Sequence, residues 1–453
     1  MMINEGMMKM TTIKMVETTQ DQPWQAKTLT ATQNEGPVTL TVTDETKRTF
    51  EGFGSCFNEL GMKAILQATP ADQDKIFDQL FGKEGDCRFN LCRLPIGAND
   101  YATDWYSFDE HDGDYDLEQF SIDRDKQYII PYIKAALKRN PDIVLSASPW
   151  SPPTWMKTIK VYNNGTIRWE PKVLTAYANY FVKFVQSYQQ EGITIGQVHV
   201  QNEVVADQKF PSCVWTGEEL RDFIGKYLGP AFEKAGLTTE IWLGTINAPE
   251  PYKEIMKNET QSYDVFASTV LRDPEAYKYT AGVGYQWFGK NAIQQTVEAY
   301  PEKRFLQTEN ECGNGQNTWL FAEYVFNLFR HYMINGANGY MYWNAVLQPG
   351  GKSTWGWGQN AMITVDDKGA ITYNPEFYVM KHFSHYIQKG SKRLVTTGHD
   401  TATTLAFENP DGSVVVVMAN NVKDDHQVNL KVAGQQFETL VKGHSFNTFL
   451  IEK

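Results

Sequence analysis

The stretch "IGQVHVQNEVVADQ" (195–208) decides the fold. Its first seven residues alternate apolar and polar as a strand does, and the run then breaks at Asn202-Glu203 into polar residues. Just before it, "VLTAYANYFVKFVQSYQQEG" (173–192) sets Leu174, Tyr177, Tyr180, Phe181 and Phe184 at helical spacing. The same helix-then-strand unit recurs along the chain. Strand-like segments precede it at "TFEGFGSCF" (49–57), "CRFNLCRLPIG" (87–97) and "IVLSASPW" (143–150). Others follow at "TEIWLGTIN" (239–247), "GVGYQWF" (282–288), "RFLQTE" (304–309) and "GYMYWNAVL" (339–347). Eight such strands, most separated by helix-like stretches, point to a (β/α)8 TIM barrel rather than an open doubly wound sheet. No Gly-rich fingerprint follows the first strand, which counts against a dinucleotide fold.

Beyond about residue 385 the texture changes. "TTLAFENPDGSVVVVMANN" (403–421), "HQVNLKVAG" (426–434) and "HSFNTFLIEK" (444–453) are strands divided by turn chemistry such as Asn409-Pro410-Asp411-Gly412. A similar alternating run, "VTLTVTD" (38–44), lies near the other end. The economical expectation is a catalytic barrel over 49–384 and a small flanking β-sandwich built from 1–48 together with 385–453.

Composition narrows the function classes. The 453 residues carry a net charge of -12, which argues against nucleic-acid or anionic-membrane surfaces, since both call for clustered Lys and Arg. No apolar run reaches the roughly 18 residues of a membrane span, so no stable membrane insertion is expected. The Met-rich start lacks a basic segment followed by an apolar one. It reads as no signal peptide, with the cytoplasm as the expected location, where the sequons at Asn164 and Asn258 would carry no glycan. Five cysteines, with no CxxC and no His cluster, suggest inert free thiols and no metal site. Nothing in the sequence bears on oligomeric state.

In a barrel of this kind the chemistry sits at the C-terminal ends of the strands. The second strand ends "RLPIGANDYA", with Arg93 inside it and Asp100 just beyond. The third ends "SASPWSPPTWMK", the fourth in Asn202-Glu203, the seventh "FLQTENEC", and the eighth "MYWNAVLQPGGKSTWGWGQN". Two mouth carboxylates, an Arg, an Asn and several Trp describe a carbohydrate site. Two carboxyls flanking a glycosidic bond divide the labour of acid and nucleophile, and Trp faces stack on the apolar face of a pyranose.

These residues carry a family resemblance. "GFG" (52–54), "RLPIGANDYA", "ASPWSPPTWMK", "QNE", "FLQTE" and "YWNAVL" (342–347), in order over roughly 49–380, resemble glycoside hydrolase family 30, the family of glucosylceramidase. The resemblance implies a retaining β-glycosidase that needs no cofactor or metal. It also implies Glu203 as acid/base, Glu309 as nucleophile and Asn202 as partner of the sugar 2-hydroxyl. Arg93 would support the nucleophile, while Asp100, Trp150 and Asn344 line the sugar subsite, with Trp287, Trp343 and Trp355 as further substrate contacts. β-1,6-Glucanases, β-xylosidases and β-fucosidases share the family, so glycone and aglycone stay open. Val204 stands where Pro is common, and Gln286 and Phe288 where relatives often have His and Tyr. The hydrogen-bond partner of Glu309 is therefore left unassigned.

Blander roles compete. Glu311 lies close enough to Glu309 to contest the nucleophile; Glu309 is preferred because it directly follows the strand run. His199 reads as a packed, hydrogen-bonded core histidine, and Trp155 as packing. Trp355 and Trp357 are either sugar platforms or loop packing. A Schiff-base aldolase would want an inward Lys at a strand end, and a silent carbohydrate-binding barrel would be expected to lose one carboxylate.

Overall fold

The computed structural model describes residues 12–32, 36–248 and 265–452. Residues 1–11, 33–35 and 249–264, with the sequon at Asn258, lie outside the described residues. The chain divides into two compact units. Gly52–Asn317 with His331–Asn374 form one, and Met1–Glu51, Thr318–Arg330 and Pro375–Lys453 the other. Thr318–Arg330 and 375–384, read from sequence as barrel, group with the chain ends.

The larger unit is a closed barrel of eight parallel strands. They are β1 (Gly52–Cys56), β2 (Leu91–Pro95), β3 (Val144–Ser148), β4 (Gln197–His199), β5 (Glu240–Ile246), β6 (Thr280–Gln286), β7 (Arg304–Glu309) and β8 (Gly339–Asn344). Each falls within or closely overlaps a segment that alternation had marked. The 173–192 pattern becomes the helix Pro171–Gln190, with Pro at its first position, where no amide donor is needed. Its Leu174, Tyr177, Phe181 and Phe184 face is buried.

The barrel interior is layered. Leu91, Trp242, Leu306 and Met341, from four strands, form an apolar floor. Two residues along their strands, on the same face by the period of two, stand Arg93 and Trp343. The interior thus turns from apolar to functional within one pleat. Near the rim the ladder breaks. β7 shifts register against β6 between Gln307 and Glu309, and β8 against β1 between Tyr342 and Asn344. Such bulges re-aim side chains, and the first of them sits at Glu309. The long alternation of 195–203 yields only Gln197–His199 as strand, although Val200 N and Gln201 N still donate to Trp242 O at 3.3 Å and Gly244 O at 3.0 Å.

The other unit is a β-sandwich. One nine-stranded sheet runs through 435–441, 426–432, 40–49, 392–397, 404–408, 414–420, 445–451, 12–18 and 25–30, in that order. It folds over a single core in which Met15 and Leu40 from the N-terminal part meet Val416, Leu430 and Phe449. Neither chain end could bury its apolar face alone. Among the described residues no helix is long and apolar enough to cross a membrane.

Candidate active site

Arg93 organises the C-terminal mouth of the barrel. It is buried, and Nη1 donates to Glu309 Oε2 at 2.8 Å while Nη2 donates to Asn202 Oδ1 at 2.6 Å. Ser148 Oγ, at the end of β3, accepts from Nε at 3.1 Å and from Nη2 at 2.8 Å. The guanidinium carbon lies 4.6 Å from the Trp150 ring centroid and 5.8 Å from that of Trp343. A planar cation with these hydrogen bonds and two packed indoles beside it has little freedom, so β2, β3, β7 and the segment after β4 are tied together at one height.

The two glutamates have unlike surroundings. Glu309 receives the charge-assisted bond from Arg93, and the edge of Trp287, although outside hydrogen-bonding geometry, also pulls its carboxyl down. Burial works against both and leaves Glu309 somewhat above the usual carboxylate range. Glu203 is pushed much further up, by burial first and then by the negative charges of Glu309 and Asp100. Of the pair, Glu203 is the one that keeps its proton. Its backbone is left-handed, φ 49°, a strained setting for a residue with a side chain, and is held by its amide donating to Thr245 Oγ1 at 3.2 Å.

Asn202 is oriented by its neighbours. Its Oδ1 accepts from Arg93, from Gln286 Nε2 at 3.2 Å and from Thr245 Oγ1 at 3.4 Å, which leaves the amide nitrogen as the group available to a ligand. Gln286 is itself held by Thr308 Oγ1 donating to its Oε1 at 3.0 Å. The hydrogen-bond partner of Glu309 left unassigned from sequence is Arg93. Gln286 serves Asn202 and Glu203 instead, and Phe288, 62% exposed, sits at the cavity rim.

A cavity of about 1000 Å³ opens over these groups. Asp100, Trp150, Asn202, Glu203, Trp287 and Glu309 line its inner part. Trp355 and Trp357, with rings 5.3 Å apart, form one wall beside Phe210. Asp100 Oδ2 accepts from Gln359 Nε2 at 3.3 Å, Oδ1 has no hydrogen-bond partner, and burial raises its carboxyl to about 8. A buried acceptor or donor without a partner is available to a sugar hydroxyl.

Three expected contacts stand behind the cavity surface instead of on it. Arg93 acts through Glu309 and Asn202. Trp343 packs on Trp150 with centroids 5.5 Å apart. Asn344 is fully buried; its Nδ2 donates to Gln359 Oε1 at 2.8 Å and its Oδ1 accepts from Asn58 at 3.1 Å. Asn344 therefore holds Gln359, which does line the cavity. Gln359 lies in the quoted "WGWGQN" loop, but nothing local distinguishes it from its neighbours. Ser148, Thr245 and Phe210 were likewise missed, because their roles come from partners distant in sequence.

Glu311 points elsewhere. It is bound by Lys290 Nζ at 2.5 Å and is not part of the cavity lining. His199 is buried and stacked on Trp242 at 5.3 Å, but neither ring nitrogen has a hydrogen-bond partner, in contrast to the bonded histidine expected. Burial and Arg93 hold it well below its ordinary value, hence neutral. Trp155 packs in the loop and donates to Asp109 O at 3.0 Å. All five cysteines are buried free thiols.

The chain was compared with known proteins. It is 31% identical over 383 residues to a putative glucosylceramidase 3 of Caenorhabditis elegans, covering 79% of this chain and 71% of that one. It is 29% identical over 441 residues to the lysosomal acid glucosylceramidase of Mus musculus, covering 91% and 83%. Among solved structures, an endo-β-1,6-glucanase superposes with a TM-score of 0.84 at 27% identity, covering 97% of this chain and 99% of that one. The glycosyl hydrolase family 30 TIM-barrel domain matches residues 50–387, and the family's β-sandwich domain matches 390–449. With its barrel, its sandwich and its paired mouth carboxyls accounted for, this chain belongs to glycosyl hydrolase family 30 and is a glycoside hydrolase.

Proposed function

We propose that the protein is a retaining β-glycosidase acting on a β-glucoside-like bond, with Glu309 as nucleophile and Glu203 as acid/base. The observation that carries this reading is the asymmetry made by Arg93, which bonds Glu309 and not Glu203. A carboxylate beside a buried guanidinium stays ionised and nucleophilic. Its neighbour, buried and facing two other acids, holds the proton that a departing oxygen needs. Glu309 attacks the anomeric carbon while Glu203 protonates the leaving oxygen. Glu203, now ionised, then takes a proton from water as that water displaces Glu309. The Asn202 amide nitrogen is free to donate to the sugar 2-hydroxyl.

Two measurements test the assignment. Labelling by a 2-fluoro glycoside, read by intact mass, is expected in the wild type and in Glu311→Gln and absent in Glu309→Gln. Labelling that survived in Glu309→Gln and vanished in Glu311→Gln would assign the wrong carboxylate. Proton NMR of the earliest product should show the β-anomer, because two displacements restore the configuration. First-formed α-product would exclude the double displacement.

A second reading has its own support. The cavity extends past the inner carboxyls to Trp215, Phe266 and Phe288, more room than one monosaccharide needs, and relatives named as endo-1,6-β-glucanases align over 89% of the chain. Parallel assays on a β-1,6-linked glucan and on a β-glucosyl lipid separate an oligosaccharide-cleaving enzyme from a glucosylceramidase.

A further inference from the structure

Lys157 closes the "SPPTWMK" motif and takes no part in the chemistry above, yet it is buried, 1% exposed. Its Nζ donates to Ser212 O at 2.7 Å and to Tyr162 O at 2.9 Å. No carboxylate is in contact with it among the described residues. A buried ammonium satisfied by carbonyl dipoles alone is a costly arrangement, and burial drags Lys157 down to about 8.

The two carbonyls belong to different loops. One loop, 157–167, follows β3; the other, 204–214, follows Glu203. The second is an excursion closed at its base by Trp215 N donating to Val204 O at 2.9 Å. It carries Gln208, Phe210 and Val214, all of which line the cavity. Its returning arm is stitched to the first loop by Ser212 N donating to Tyr162 O at 3.0 Å and Val214 N to Gly165 O at 2.9 Å. Asn164 N adds a bond to Ser212 Oγ at 2.9 Å. Lys157 lies beneath this seam and bonds both sides of it. Glu203 bonds the near end of this loop through Ala206 N donating to its carbonyl at 2.8 Å, and is anchored outside the loop by Thr245 Oγ1 at its own amide and by Asn202 N donating to Pro149 O at 2.8 Å. The tip can therefore shift without carrying the carboxyl with it.

We propose that Lys157 is a positioning residue that clamps the 157–167 and 204–214 loops together and so sets the cavity wall against which the leaving group binds, determining aglycone affinity but not the chemical step. The inference rests on the glycosidase reading and narrows it to the leaving-group side.

The test compares Lys157→Met, which keeps the stem and removes the donors, with Lys157→Gln, whose amide reaches one carbonyl. The substrates are a β-linked glucose disaccharide and a dinitrophenyl β-glucoside. For Lys157→Met the disaccharide KM should rise about tenfold, as when binding shared by ground and transition states is lost. Its kcat, and kcat on the dinitrophenyl glucoside, should stay within about twofold. Lys157→Gln should give an intermediate KM, and Phe210→Ala with Lys157 intact should reproduce the KM effect. Unchanged KM in either Lys157 variant, or parallel loss of kcat on both substrates in a folded variant, overturns the clamp. Should Lys157→Met not fold, Lys157→Gln decides alone. A wild type inert towards every β-glycoside would instead refute the glycosidase reading itself.

Discussion

The two walls of the mouth are built differently. On the Glu309 side, a β-bulge at Gln307/Glu309, a guanidinium engaged by Glu309, Asn202 and Ser148, and the packed Trp150–Trp343 pair leave the carboxyl one position. On the Glu203 side the strand has already ended at His199, the backbone is left-handed, and an eleven-residue excursion follows before the chain returns. The Glu309 wall is held by a guanidinium bonded to the carboxylate itself, and the Glu203 wall by backbone bonds between two loops with the Lys157 ammonium beneath them. The difference fits the two tasks proposed above for Glu309 and Glu203. A nucleophile must stand still and stay charged, whereas the acid faces aglycones of varying shape and must stay protonated in a poorly solvated place.

The contrast fails first if Glu203 is not the acid. Glu203→Ala should slow β-glycosides with sugar or alkyl leaving groups by roughly 10²–10⁴, the range of general acid–base catalysis. Glycosyl-enzyme formation from a dinitrophenyl glycoside should slow far less, and azide should restore turnover as the β-glycosyl azide. Equal losses on both substrates, without rescue, would remove the acid/base from this wall.

The Glu309 wall is broken by Arg93→Met. A loss of at least roughly 10² in kcat/KM is expected, the cost of about an ångström of misplacement at a reacting group. The sign of the pH effect is fixed by the charge removed. Arg93 pulls Glu309 down, so without it Glu309 titrates higher and the acidic limb of the profile moves to higher pH. An acidic limb that stayed in place would mean that Arg93 does not set the ionisation of Glu309.

Glu311→Gln gives the smallest effect. Glu311 pushes Glu309 up through its negative charge, so its neutralisation should move the acidic limb slightly to lower pH, with kcat changed by no more than about threefold, ~0.7 kcal/mol at 298 K. A movement in the opposite direction, or complete loss of activity, would show that Glu311 belongs to the catalytic pair.

How much of this was legible beforehand depends on the range over which each feature is encoded. Strand periodicity is local, so the positions of the eight barrel strands and the sandwich could be read from alternation, and with them the strand ends where Glu203, Glu309, Asp100 and Trp150 stand. The resemblance to a known family attached roles to those positions. Residue order and residue type thus determined the barrel, its C-terminal mouth and the pair of acids. What only tertiary structure decided is which groups touch. Arg93 and Glu309 are 216 residues apart, and Lys157 and Ser212 are 55. Asn344 reaches the site only through Gln359, and the bulge that aims Glu309 comes from the mismatch of two neighbouring strands. No spacing within one segment encodes such contacts, because they arise when a closed sheet brings the ends of separate strands to one rim and burial then favours partners for the polar groups left there.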